Sequence, residues 1–72
     1  MTPIPWLCSV LLHLNVITSP GNYTNCDLYN YEQMYSPQIQ MINSNPTLSA
    51  QIWQEYRDEV QIIEVSEEEC DE

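Results

Sequence analysis

Seventy-two residues allow one small domain at most, and eleven Asp and Glu against a single cation, Arg57, give a formal charge of −10. That balance argues against nucleic acid as a ligand and against an anionic membrane surface, because phosphate contacts need several Lys or Arg. A basic protein patch or calcium remains as a cationic partner, and an apolar content of 43% is too high for a wholly disordered chain.

The first 26 residues contain no Lys, Arg, Asp or Glu. Residues 4–14 form an apolar run of the length found in signal-peptide cores, and one too short to span a bilayer. Cleavage after Gly21 would put Ser19 and Gly21 at the two positions that require small side chains. Residues 1–21 are therefore expected to be a signal peptide. Pro20, and the lack of a basic residue near Met1, depart from that pattern. Two alternatives use the same residues: a buried N-terminal helix or strand of a cytosolic mini-domain, or a retained membrane anchor. Pro3 and Pro5 fit either case, since both precede any helical turn that needs their amides.

The cysteines bear on the same question. Three is an odd number for an exported chain. Losing residues 1–21 removes Cys8 and leaves Cys26 and Cys70 as a pair. A bridge between them would close a loop of about 44 residues, worth roughly 4 kcal/mol by chain entropy. Cys70 stands among Glu67, Glu68, Glu69, Asp71 and Glu72, whose charges disfavour a thiolate, so a nucleophilic role is not expected of it. Asn22-Tyr23-Thr24 fits the glycan-acceptor pattern, with Asn22 as the site.

Residues 22–46 are rich in Asn, Gln, Tyr and Pro. Thr24 and Asp27 have the spacing of a capping box, with Asp in place of Glu or Gln. A short helix over about 27–35 would align Leu28, Tyr31 and Tyr35. Ser36-Pro37 and Asn45-Pro46 each set a capping residue before a proline suited to a first helical turn. A further turn or two over 37–43 would align Ile39 and Ile42. The alternation of Tyr29 and Tyr31 would equally suit an extended segment.

Asp27-Leu28-Tyr29-Asn30-Tyr31-Glu32-Gln33 resembles the segment with which the small papillomavirus oncoproteins grip the retinoblastoma pocket. Leu28 and Glu32 match that family's Leu-x-Cys-x-Glu pattern. Asn30 replaces the cysteine, the acidic run comes some thirty residues late, and the family's zinc-binding Cys-x-x-Cys pairs are missing. The resemblance covers seven residues and implies binding through a short linear motif.

The best-defined element is an amphipathic helix placed at 46–65. Leu48, Ile52, Tyr56, Val60 and Ile63 recur at near-helical spacing, with Trp53 broadening the stripe. About 18 residues of helix would span near 27 Å. Its β-branched end, Val60-Gln61-Ile62-Ile63-Glu64-Val65, would also suit a strand. The stripe either packs as core or docks into a partner's groove, the docking set being Leu48, Ile52, Trp53, Tyr56 and Ile63. In the acidic tail at 66–72, Ser66 followed by Glu67, Glu68 and Glu69 fits acid-directed serine kinases, making Ser66 a phosphorylation site.

Catalysis is not expected. His13 is the single histidine and Gly21 the single glycine, so no phosphate-cradling loop and no zinc-ligand spacing exist. No catalytic residue, metal ligand or cofactor is assigned. The expected fold class is mainly α, a small single-domain or partly disordered polypeptide with one amphipathic C-terminal helix. The expected function is protein–protein binding by a small acidic polypeptide, secreted or lumenal. The alternatives are an intracellular or viral accessory protein working through linear motifs, a membrane-associated peptide if the N-terminal segment is kept, or a short reading frame without defined function.

Overall fold

A computed structural model describes residues 4–68. They form α1 (Ile4–His13), β1 (Gly21–Thr24), α2 (Asn25–Met34), α3 (Ser36–Asn43), α4 (Pro46–Val60) and β2 (Ile63–Ser66). The molecule is mainly helical, as expected. It does not rest on one amphipathic C-terminal helix, however; the most extensive packing is that of α1 on α4.

The apolar run that read as an export signal forms α1. Leu7, Cys8, Ser9, Val10, Leu11 and Leu12 are consecutive and all buried. A helix apolar on nearly every side must be covered on nearly every side, and α4 and α2 supply that cover. Ser9 is small enough to sit wholly buried in α1, and its hydroxyl donates back to the Trp6 carbonyl at 2.6 Å. The helix ends where Asn15 takes φ 61°, a left-handed conformation that Asn tolerates better than most residues. The Asn15 N–H then donates to Leu12 and the Val16 N–H to Leu11, at 3.1 and 2.9 Å. This 6→1 and 5→2 pattern satisfies two of the carbonyls that a helix end leaves bare.

The capping box appears as read. The Thr24 hydroxyl accepts from the Asp27 N–H, and the Asp27 carboxylate accepts from the Thr24 N–H. With its first turn so closed, the tyrosine-rich stretch becomes α2 rather than an extended segment. Asn45 caps α4 through its side chain, which accepts from the Leu48 N–H. The other cap does not form as expected. Tyr35 flanks α3 with no side-chain cap, and Ser36 is already helical, its hydroxyl accepting from Gln40 Nε2.

The β-branched end of the C-terminal segment leaves the helix, which is 15 residues long and stops at Val60. Residues 63–66 pair in parallel with β1, in the register Gly21↔Ile63, Asn22↔Glu64, Tyr23↔Val65 and Thr24↔Ser66. A parallel pair needs a long crossover, and here α2, α3 and α4 make it. Strand β1 was not foreseen. Leu7, Cys8, Val10, Leu11, Leu12 and Ile17 meet Leu28, Ile39, Ile42, Ile52 and Ile63 in one core.

Of the two cysteines expected to pair, Cys26 is disulfide-bonded. Among the described residues no two cysteines are bridged, and Cys8 is a free thiol buried at 1% exposure. Cys26 does have a partner and is not a second free thiol, while Cys70 lies outside the described residues.

Candidate functional site

The docking set of α4 is split by the fold. Ile52 is 1% exposed and Ile63 8%, so both are core. Leu48 and Tyr56 are partly buried and pack against that core from its rim. The Tyr56 ring also meets the exposed His13 ring edge-on, with centroids 6.3 Å apart. Trp53 differs from all four. It is partly buried yet is not among the side chains packed on the core. The second tryptophan is fully engaged: Trp6 packs on the core, and its indole Nε1–H donates to Ser49 Oγ at 2.7 Å, joining α1 to α4. Among the described residues, Trp53 is thus the large aromatic of α4 that does not pack on that core.

The outer side of α4 is polar. Glu55, Arg57, Asp58 and Glu59 are all exposed, and the acidic character continues through exposed Glu64, Glu67 and Glu68. The carboxylates are spread along a helix and a strand. Among the described residues no group of His, Cys, Asp and Glu is placed to hold a metal ion. Likewise, none of the described helices is long and apolar enough to cross a membrane.

The remaining expected sites fall on or near the strands. Asn22 is exposed on β1, opposite Glu64, and the Thr24 hydroxyl of the same tripeptide is the α2 cap. Ser66 is exposed at the end of β2, opposite Thr24. In the segment resembling the retinoblastoma-binding motif, Leu28 is 2% exposed and lies inside helix α2. The residue that should enter the partner's pocket is therefore held in this protein's own core, in a helix. A linear-motif role for that segment does not fit the fold.

Burial pushes the Cys8 thiol above its ordinary range, because the low-dielectric core disfavours a thiolate. It is a packing residue and a poor nucleophile. The sequence reading missed Gly21 as a structural residue. A Cβ there would lie 2.8 Å from the Thr18 carbonyl oxygen and 2.8 Å from Tyr23 Cε2. The Tyr23 hydroxyl closes the same corner, accepting from the Thr18 N–H at 3.0 Å. The single glycine of the chain, directly after Ser19-Pro20, was the available signal for a tight approach.

No protein-family model, curated protein or solved structure matches the chain.

Proposed function

We propose that this is a small acidic protein-binding polypeptide without catalytic activity, acting with its N-terminal segment in place. Trp53 is the anchor, on an amphipathic helix whose remaining apolar residues serve the core. The observation that carries this is the contrast between the two tryptophans. Both are partly buried, but Trp6 is bonded and packed on the core, whereas Trp53 is not among the side chains packed on it. Tryptophan, a large and rigid side chain, is enriched among the residues that dominate binding energy. Leu48 and Tyr56 flank it as a rim, and the exposed acids of α4 favour a partner with a basic patch.

Retention of the segment is supported by the buried face of α1. A helix consumed as core cannot at the same time be discarded and leave the same fold. A protein with residues 1–21 attached is therefore favoured over the cleaved species the sequence suggested. Two measurements test these statements. Intact mass from expressing cells should give the full-length chain in the lysate; a species in the medium beginning at Asn22 would defeat retention. Affinity capture with the native chain and with Trp53→Ala should yield a partner that the variant loses. Titration of that partner should show a loss of more than about 1 kcal/mol, with the unfolding transition of the variant unchanged. Equal affinity would remove Trp53 from the interface.

A further inference from the structure

The sheet has two strands and hence two outer edges. In a parallel ladder alternate residues direct their N–H and C=O toward the neighbouring strand, and the others direct theirs away. Among the described residues, no backbone hydrogen bond outside the ladder reaches residues 63–66. Within the described residues strand β2 therefore presents an unpaired edge, which is a template for another strand unless something covers it.

The faces of β2 state what would fit. Ile63 is buried and Val65 partly so, both toward the core, while Glu64 and Ser66 point to solvent. The adjoining Glu67 and Glu68 are exposed as well. An added strand continues the pleat, so its side chains fall beside these in the same alternation. Beside Ile63 and Val65 it would set apolar side chains along the margin of the core. Beside Glu64 it would set side chains facing a carboxylate and, further along, two more. A second copy of this chain is a poor occupant, since it brings −10 against −10 and its own acidic strand. We infer that the outer edge of β2 receives an extended segment of another protein in which apolar residues alternate with Lys or Arg.

This surface lies beyond the one proposed around Trp53, and the two can fail separately. The probe is an end-blocked octapeptide alternating valine and lysine, titrated into the full-length chain at near-physiological salt, with amide hydrogen exchange followed residue by residue. Binding should slow exchange by roughly tenfold or more at the outward-pointing amides within 63–66. The same peptide with glutamate for lysine should not bind. N-methylation of alternate peptide amides, made in both registers, should abolish binding in at least one register. Glu64→Lys, which alters an exposed side chain, should weaken binding by about fivefold while leaving thermal unfolding unchanged. Trp53→Ala should bind the peptide as the native chain does. The inference is overturned by absence of binding, by binding without added protection in β2, by indifference to both N-methylated registers, or by a dimer of the free chain in sedimentation that already protects the edge.

Discussion

Gly21 shows how one residue supports two opposite accounts. A peptidase site asks for a small side chain there, and glycine or alanine would serve equally. The fold asks for no side chain at all, because the position of a Cβ is taken by the Thr18 carbonyl and the Tyr23 ring. The Thr18 backbone cannot swing aside as a flexible side chain would, and Tyr23 is bonded to it. Gly21→Ala should therefore destabilise the protein by about 1–3 kcal/mol, the range for overpacking a fitted site. Urea unfolding would measure it, and an unchanged midpoint would mean that the corner opens freely. Asn15 illustrates the same point with a different constraint. Its left-handed backbone at φ 61° ends α1 and turns Val16 back toward the core.

At the scale of elements, α1 and α4 are held by apolar packing and by one long-range polar bond. The Trp6 indole donates to Ser49 Oγ across 43 residues of sequence. Removing that acceptor leaves the N–H of a partly buried indole unpaired, which costs about 1–3 kcal/mol. Ser49→Ala should show such a loss in denaturant unfolding, and Ser49→Thr, which restores the hydroxyl, should recover part of it. A loss no larger than that of an exposed substitution would mean that water replaces Ser49. What the sequence made legible here was local. The Thr24 and Asp27 capping box, the Asn45-Pro46 start of α4, the alignment of Leu28, Ile39 and Ile42, and the strand tendency after Val60 all depend on residues a few positions apart. What it did not reveal was long-range. Strand β1 exists because Gly21–Thr24 meets Ile63–Ser66, and four residues carry no period that would announce it. The docking stripe of α4 divided into core and surface for the same reason. Spacing puts Ile52 and Trp53, about 100° apart around a helix, in one broad stripe, and only the packing decides that Ile52 is buried and Trp53 partly so.

The whole molecule depends on the segment that looked disposable. Its Cα radius of gyration, 11.6 Å, is close to the roughly 11 Å expected of a folded chain of this length. Among the described residues, six of the eleven buried apolar side chains precede Gly21. At about 1.5–3 kcal/mol for each side chain withdrawn from water, their loss removes on the order of 10 kcal/mol, as much as the total stability of a typical domain. It would also bare Leu28, Ile39, Ile42, Ile52 and Ile63, and would leave the Ser49 hydroxyl without Trp6. A fragment of residues 22–72 is therefore expected to lose most of its helical circular dichroism and its cooperative urea transition. The high negative charge sharpens the effect, because all eleven acids lie in that fragment and their repulsion opposes compaction once the core is gone. Adding a synthetic peptide of residues 1–21 should restore helix in proportion to the complex formed, with little recovery when the peptide carries Leu11→Asp. A fragment that keeps the helix content of the full chain and unfolds cooperatively would show that 22–72 folds by itself. Segment 1–21 would then be free to act as the export signal its composition suggests.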